Sequence, residues 1–284
     1  MPIDYDHVMS LKSEGEEVSY TDRDTMLYAL GVGMGRDPMN SDELPFVTEK
    51  DLKTVPTMAT VITFGAQGYM AHTGINFMLM VHGEQRLQIH KTLPPAATVS
   101  IDGRITGAYD KGEGKGALLT SEMVVHDKAS GDKLCTLGST LFCRGDGGFG
   151  GPTEGAPVPH QLPDRAPDQT IETATRPDQA LLYRLSGDRN PLHSDPEFAK
   201  MAGFDRPILH GLCSYGTACR GILTDALNYD NATVKSFDVR FSSPVFPGET
   251  ILTDVWRDDN IISFRSRLKE RDVVCLNNGK CEIA

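Results

Sequence analysis

The sequence predicts an α+β protein with two halves of similar size, each an antiparallel sheet wrapped around one helix. Three observations lead to this fold class. Residues 145–169 are dense in Gly and Pro and divide the 284-residue chain almost in half. Each half has one long segment that is apolar on nearly every face, and each has about five strand-like segments. A helix that is apolar all round must be enclosed, and a curved sheet can enclose it, so we expect a double hot-dog fold.

The elements of the first half begin with a helix after Thr21, a good N-cap residue that apolar residues follow at helical spacing. Residues 56–65 are rich in β-branched side chains and predict a strand, and residues 68–83 are the long apolar segment. Four more strands are predicted because their segments alternate in hydrophobicity or are rich in β-forming residues. These segments are residues 85–93, 98–111, 116–127 and 133–144.

The second half repeats this order with a strand at 171–175 and a short helix at 177–187, which has Pro at its start and Gly at its end. Asp195 and Pro196 are suited to start the next helix, and the long apolar segment is residues 209–227. Four strand segments close the chain: residues 232–243, 250–258, 261–270 and 273–284. The last contains Asn278-Gly279, a strong hairpin signal. We therefore expect domains at 1–144 and 170–284 with the linker 145–169 between them.

Composition narrows the classes of partner and compartment. Apolar residues make up 39% of the chain, enough for a core, and the net charge of −11 argues against nucleic acid and anionic membranes as partners. No apolar run approaches the roughly 18 residues of a membrane span. The N-terminus lacks a signal-peptide pattern and the C-terminus lacks a peroxisomal tripeptide, so a cytoplasmic location is expected. The six cysteines include no C-x-x-C pair, which favours small apolar residues in a reducing compartment over disulfides or zinc.

Two Gly-rich stretches lack the context that phosphate and dinucleotide sites require. The stretch GVGMG at 31–35 follows a helical pattern, whereas a dinucleotide fingerprint needs a strand before it and a helix after it. The stretch GFGG at 148–151 lacks the Lys-Ser/Thr of a phosphate loop. We interpret the first as a helix end with its loop and the second as a flexible connector.

The segment SGDRNPLHSD, residues 186–195, allows two interpretations. Gly187 and Pro191 end the helix, and Asp188 and Asn190 are ordinary turn formers, so it could be a structural turn alone. Alternatively, the turn holds Asp188 and His193 as an acid and a base at one substrate. A metal site of Asp188, His193 and Asp195 is less favoured, because no His pair at i,i+4 and no second His cluster accompanies it.

A second segment, RPILHGLCSYG, strengthens the catalytic interpretation. It places Gly211 at the start of the long apolar helix, where the first backbone N–H groups have no partner and the helix dipole is positive. Because Gly211 has no side chain, a ligand carbonyl could approach its N–H closely. An acid, an imidazole and this amide could converge on one thioester.

Both segments resemble one enzyme family. Residues 183–199 and 203–216 are similar to the (R)-specific 2-enoyl-CoA hydratases, hydratase 2 of the MaoC-like group, which includes the hydratase part of peroxisomal multifunctional enzyme type 2. Further similar stretches follow the family order and extend the resemblance to nearly the whole chain. They are MVHGEQRLQIHKTLP, YDKGEGKG, GGFGG and VRFSSPVFPGET.

The resemblance implies a hydro-lyase that adds water to trans-2-enoyl-CoA reversibly and forms (R)-3-hydroxyacyl-CoA without a metal or an organic cofactor. Asp188 and His193 would be the catalytic pair, with Asn190 holding Asp188 and water in place. The Gly211 N–H would bind the thioester oxygen as enolate charge develops. Which of Asp188 and His193 acts as base stays open.

The resemblance also implies substrate contacts. His82, Gly83, Lys111 and Phe241 match positions that contact CoA, and Arg189, Pro191 and Leu192 would line the site with the catalytic turn. Lys111 would supply local positive charge against the net charge of −11, with Lys115 as a helper or simply a solvent-exposed lysine. The family also implies a homodimer and a first half that has lost catalysis and accommodates medium or long acyl chains.

Three other functions remain open. One is a MaoC-like dehydratase of a specialised pathway, which runs the same chemistry in the opposite direction on another acyl group. Another is a hot-dog acyl-CoA thioesterase, which would direct water to the thioester carbonyl. The third is a non-catalytic acyl-CoA-binding module, against which the presence of Asp188, Asn190 and His193 together argues.

Overall fold

The computed structural model describes residues 3–284, and ten strands in this range form one continuous sheet. The strands are β1 (Lys12–Tyr20), β2 (Met80–Ile89), β3 (Ala97–Asp110), β4 (Ala117–Asp127), β5 (Lys133–Cys143), β6 (Gln169–Ala174), β7 (Val234–Phe241), β8 (Thr250–Asp258), β9 (Ile261–Leu268) and β10 (Val274–Ile283). Their order across the sheet is β1-β3-β4-β5-β2-β7-β10-β9-β8-β6, and all neighbours are antiparallel.

Seven α-helices accompany the sheet in the same range, most of them short. They are α1 (Tyr5–Ser10), α2 (Asp22–Gly31), α3 (Leu44–Val47), α4 (Ala59–Ile62), α5 (Gln179–Tyr183), α6 (Pro196–Met201) and α7 (Gly211–Asp225). The longest, α7, has 15 residues, of which ten are buried, so it is enclosed on nearly every side. Across residues 3–284, no helix combines the length and the apolar character needed to cross a bilayer.

Each half of the chain contributes five strands, and the two sets join where β2 pairs with β7. At this junction Glu84 lies opposite Arg240, and Gln85 lies opposite Val239. Helix α7 packs against β6, β7 and β8 and fills the space that the second set of strands curves around. This arrangement is the predicted α+β double hot-dog fold.

The two halves share one hydrophobic cluster. Tyr28 of α2 and Met58 are fully buried in the same cluster as Tyr215 of α7 and Phe237 of β7. The Tyr28 ring also lies 6.0 Å from the Tyr183 ring, measured between centroids. Because sheet and core both continue across the linker, each half buries surface that the other half supplies. The exact domain boundaries stay a prediction.

The long helix expected in the first half does not form. Residues 56–79 instead contain α4 and four 3-10 turns, so the prediction of a strand at 56–65 is also wrong. The β-branched residues responsible for that prediction hydrogen-bond to the backbone one turn back: the Thr60 hydroxyl donates to the Thr57 carbonyl at 2.9 Å, and the Thr63 hydroxyl to the Thr60 carbonyl at 3.1 Å. These local bonds favour helical turns over a strand.

The predicted hairpin at Asn278-Gly279 is also wrong, because β10 runs through both residues with a bulge. Asn278 has a φ of +54°, which a bulge accommodates as well as a turn does, and its side chain donates to the His160 carbonyl at 2.8 Å. A Cβ at residue 279 would lie 2.5 Å from the Phe264 ring, so only glycine fits beside this buried aromatic side chain.

The linker contains neither helix nor strand between residues 145 and 168, but it is held in place. The N–H groups of Gly148 and Gly150 donate to the Asp110 carboxylate at 2.8 and 2.7 Å. Further along, the His160 ring bonds to a serine hydroxyl of β9 at 2.8 Å. The interpretation of the GFGG stretch as a flexible connector is therefore wrong, since hydrogen bonds anchor the linker in both halves.

Asp238 offers a test of the β2–β7 junction. Its carboxylate accepts from the Leu87 N–H at 3.1 Å, and burial raises the pKa of Asp238 from 3.8 to about 6. Folding therefore favours the protonated form of Asp238. Its contribution to the free energy of unfolding is fully present below pH 3.8 and is lost as the pH rises through about 6. We expect Asp238→Asn, which keeps the acceptor oxygen, to raise the free energy of unfolding by about 1–2 kcal/mol at about pH 8.

The gain should shrink towards about pH 4, where Asp238 is protonated in the folded protein. Urea unfolding of both proteins at the two pH values measures this difference. A variant that is less stable than the wild type at the higher pH, or a gain that does not depend on pH, would show that burial does not raise the pKa of Asp238 in the folded protein.

Candidate active site

The segment Ser186–Asp195 forms a tight polar turn. A 3-10 turn after α5 ends at Gly187, whose φ of +130° is a conformation that residues with a side chain rarely adopt. The Asn190 side chain accepts from the N–H two residues ahead at 3.0 Å and caps the next 3-10 turn, Pro191–His193. The Asn190 N–H donates to the Asp188 carboxylate at 3.1 Å. Asn190 therefore shapes the turn and orients Asp188.

His193 is buried and held in one tautomer. Its Nδ1 lies 2.9 Å from the Ile208 carbonyl oxygen, and because a carbonyl only accepts, Nδ1 carries the hydrogen. Burial lowers the pKa of His193 below the ordinary value of 6.5, with smaller opposing effects from the Ile208 carbonyl and Asp188. At neutral pH the ring is therefore uncharged, and Nε2 has a lone pair that can accept a proton.

His210 is a third member of this group that the predicted site omits. Its Nε2–H donates to the Asp188 backbone carbonyl at 3.1 Å, and its ring stacks on His193 with centroids 3.7 Å apart. The Tyr183 ring lies 4.9 Å away. Burial, followed by the proximity of His193, lowers the pKa of His210 to about 3. The neutral His210 ring therefore contacts both Asp188 and His193. In the sequence, the only signal for this role is the position of His210 directly before Gly211.

The side chains of Asp188, His193 and His210 lie close enough to suggest a metal site, since one ligand atom of each lies within 4.8 Å of the others. The two imidazoles stack with centroids 3.7 Å apart, and each already uses one ring nitrogen for a backbone carbonyl. The alternative set with Asp195 is not formed, because the Asp195 carboxylate caps α6 by accepting from the N–H groups of Glu197 and Phe198. The absence of a metal remains a prediction.

The start of α7 presents backbone donors next to this group. The His210 carbonyl accepts from the Cys213 and Ser214 N–H groups at 3.0 and 3.1 Å, and the earlier N–H of Gly211 has no acceptor within the helix. A Cβ at residue 211 would lie 3.3 Å from the Phe241 ring. Glycine therefore keeps open the approach to this N–H, at the positive end of the helix dipole.

A cavity of about 1430 Å³ opens beside the turn. The predicted site residues that line it are Asp188, Asn190, Leu192, His193, Gly211, His82, Gly83, Lys111 and Phe241. Arg189 and Pro191 belong to the same turn but do not line this cavity, so their predicted contact with substrate stays a prediction. Residues of both halves thus surround one space.

His82 and Phe241 form the wall where β2 and β7 meet. Their rings lie 4.8 Å apart, and the His82 Nε2 bonds to the Glu84 carbonyl at 3.1 Å. Loss of hydration lowers the pKa of His82 to about 4, so this ring is also neutral at physiological pH. An uncharged aromatic wall suits a polar but neutral part of a ligand better than a phosphate.

Four basic side chains also line the cavity. Lys111, Lys115, Arg144 and Arg240 line it, and within residues 3–284 none of the four pairs with a carboxylate. Arg144 and Arg240 are not among the predicted residues, because an arginine at the end of a strand has no distinctive sequence signal. Unpaired cations in a chain of net charge −11 indicate a site for an anionic ligand.

The broken segment of the first half lines the cavity with apolar side chains. Met70, Phe77, Met78 and Leu79 contribute, and the Met78 side chain is 77% exposed although it is strongly apolar. Exposed apolar side chains beside a cavity are suited to cover an apolar ligand. The preference for medium or long acyl chains stays a prediction.

Two family models together match most of the chain. Residues 18–145 match the MFE-2 hydratase 2 N-terminal domain, and residues 159–278 match the MaoC like domain. The chain is also 45% identical over 246 residues to 3-hydroxyacyl-thioester dehydratase Y of Mycobacterium tuberculosis, covering 84% of this chain and 83% of the relative. The chain belongs to the MaoC-like hydratase 2 family. This confirms the resemblance read from the sequence.

Other relatives match over nearly the full length. Enoyl-CoA hydratase 2, peroxisomal, of Arabidopsis thaliana is 38% identical, with 95% of this chain and 93% of the relative covered. A MaoC-like dehydratase from Phytophthora capsici has a solved structure with a TM-score of 0.88 and 32% identity, covering 99% of this chain and 98% of that one. As a member of this family the protein is a hydro-lyase, and hydratase 2 activity is supported at the level of the family.

The role of His210 in holding the turn Ser186–Asp195 can be tested. His210→Phe keeps an aromatic ring against His193 but removes the hydrogen bond to the Asp188 carbonyl. We expect kcat with an enoyl thioester to fall about tenfold, as expected for the loss of one buried hydrogen bond. Steady-state kinetics together with thermal unfolding measures this effect.

His90→Phe is the matched control, because His90 is an exposed histidine whose ring bonds to the Thr136 hydroxyl, outside the cavity lining. It should leave kcat unchanged. Wild-type kcat in His210→Phe would mean that the bond to Asp188 has no part in positioning the turn.

Proposed function

We propose that the protein hydrates trans-2-enoyl-CoA reversibly to (R)-3-hydroxyacyl-CoA, using water held between Asp188 and His193. One observation carries the proposal: in a hydratase 2 family member, this pair and the Gly211 N–H line the same cavity. The reaction needs a proton acceptor near water, a route for that proton to Cα and a donor for the thioester oxygen. The three groups provide these functions without a metal or an organic cofactor.

His193 acts as the proton acceptor in this proposal. Its Nδ1–H is committed to the Ile208 carbonyl, so Nε2 takes a proton from water as the oxygen bonds to Cβ. The π electrons move to the thioester and form an enolate, and Nε2 then returns the proton to Cα on the same face. The Asp188 carboxylate binds the second hydrogen of the water and stabilises the transient imidazolium. Dehydration follows the same steps in reverse.

The start of α7 stabilises the enolate. The Gly211 N–H would donate to the thioester oxygen, where negative charge grows in the transition state. Loss of one such donor typically lowers kcat by about 10²- to 10³-fold. The helix dipole acts in the same direction as this hydrogen bond.

The cavity also offers contacts for the CoA part of the substrate. The cations Lys111, Lys115, Arg144 and Arg240 would bind the phosphates of CoA, and His82 and Phe241 would contact its pantetheine arm. Two sequence-based expectations, a homodimer and a cytoplasmic location, stay predictions. A peroxisomal relative exists in the same family.

Variants of the catalytic pair test the proposal. Asp188→Asn keeps an oxygen for the Asn190 N–H, and His193→Gln keeps a polar side chain of similar length, so both should fold. We expect each to lower kcat for trans-2-decenoyl-CoA by about 10³-fold, in the range of general acid–base catalysis. Loss of the enoyl absorbance measures turnover, and chiral analysis should identify the (R)-product.

Asp205→Asn serves as the control, because Asp205 is exposed in a nearby loop outside the cavity lining and should be silent. Near-wild-type turnover in both active-site variants, or an (S)-product, would overturn the proposal. Release of free thiol from acyl-CoA without loss of the enoyl absorbance would identify a thioesterase instead. Activity restricted to 3-hydroxyacyl groups that are not fatty-acyl would indicate a dehydratase of a specialised pathway.

The pH dependence should reflect the neutral His193. Burial lowers the pKa of His193 below 6.5, and protonation removes the lone pair that accepts the proton of water. We therefore expect kcat/KM to stay constant near neutral pH and to decline on the acid side with a midpoint below 6.5. A profile of kcat/KM measures this midpoint, and an acid limb centred above 6.5 would contradict a neutral base in the free enzyme.

A further inference from the structure

Asp110 lies at the end of β3, where three stretches of backbone come together. Its Oδ1 accepts from the N–H groups of Gly112 and Gly148 at 2.7 and 2.8 Å, and its Oδ2 accepts from Gly150 at 2.7 Å. The Asp110 N–H donates to the Pro152 carbonyl at 2.8 Å. One buried carboxylate thus joins the β3–β4 hairpin to the start of the linker.

The joined stretches are in direct backbone contact. A Cβ at residue 147 would overlap the carbonyl oxygen of Gly112 and lie 2.6 Å from that of Gly116. A Cβ at residue 116 would lie 3.1 Å from the Arg144 Cα. The hairpin, the end of β5 and the linker therefore pack as one unit, and Asp110 supplies the acceptors for their N–H groups.

Three of the four cations in the cavity are carried by this unit. Lys111 and Lys115 lie in the hairpin, which is closed by bonds from the Lys111 N–H to the Gly116 carbonyl and from the Lys115 N–H to the Gly112 carbonyl, both at 3.0 Å. Arg144 follows β5, and its N–H donates to the Leu79 carbonyl at 3.1 Å. Lysine side chains are flexible, so the backbone beneath them determines where their charges can meet a ligand.

We propose that Asp110 is a positioning residue for CoA, which holds Lys111, Lys115 and Arg144 where they bind the phosphate groups of the nucleotide. This inference rests on the proposed function. Asp110 itself does not line the cavity and touches no ligand. Its role is carried out through the backbone N–H groups that it binds.

The test separates CoA from its truncated form. Asparagine has the shape of aspartate, but its NH₂ would face a backbone N–H in place of an acceptor, so Asp110→Asn should release part of the unit. For trans-2-enoyl-CoA we expect KM to rise about tenfold, comparable to losing one charge-assisted contact, while kcat changes less than about twofold. For the pantetheine thioester of the same acyl group, which lacks the nucleotide, KM should not change.

Two further variants test whether the effect acts through the cations of the cavity. Lys111→Ala should show the same selective rise in KM, and the double variant should show less than the product of the two effects because both act on one contact. Asp127→Asn is the matched control: Asp127 accepts from the Ala129 and Ser130 N–H groups in the β4–β5 turn, outside the cavity lining, and its loss should affect neither substrate.

Several outcomes would overturn the inference. They are an unchanged KM for enoyl-CoA in Asp110→Asn, an equal rise for both thioesters, and the same rise in the control. If Asp110→Asn does not fold, Asp110→Ser, whose single hydroxyl oxygen can accept from only part of these N–H groups, must give the same selective effect. A wild-type enzyme that hydrates neither thioester would refute the proposed function itself, whereas one that hydrates both while the variants are silent refutes only this inference.

Discussion

The need to enclose α7 determines most of this structure. A helix with ten of 15 residues buried cannot stand at a surface, so the strands of the second half curve around it and the first half closes the remaining side with Tyr28 and Met58. The sheet must then be continuous, and β2 pairs with β7 to make it so. The start of α7 lines the cavity, which places backbone N–H groups without an acceptor in the helix next to Asp188 and His193.

The site gains its properties from this position. Burial keeps His193 and His210 uncharged, and each ring uses one nitrogen to bind a backbone carbonyl, so their orientations do not depend on charge. A base that is neutral at physiological pH can take a proton from water, whereas a charged imidazolium could not. In the proposed reaction, the Gly211 N–H would donate to the enolate from the positive end of the helix dipole.

Sequence alone could predict the parts that depend on local pattern or on family motifs. The buried α7, the strands β2 to β10 and the turn that contains Asp188 and His193 have strong periodic or motif signals. The β-branched composition of residues 56–65 predicts a strand, but the structure has helical turns there. The hydroxyl groups of Thr60 and Thr63 donate to backbone carbonyls one turn back and favour these turns. His210 and Arg144 became visible only through tertiary contacts, since stacking and cavity lining join residues that are distant in sequence.

Strand β1 shows how the ends of an open sheet are managed. It pairs with β3 on one side only, and its other side presents unpaired backbone groups that could bind a strand of another molecule. Lys12, Glu14, Glu16 and Glu17 lie along it, largely exposed, and its pairing is interrupted by a bulge between Ser13 and Glu16. Charge and irregularity discourage edge-to-edge association, which protects the folded enzyme against aggregation. The polar composition of β1 gives no alternating apolar pattern, so the sequence does not predict this strand. The same composition allows the ten-stranded sheet to end at β1 without pairing to another molecule.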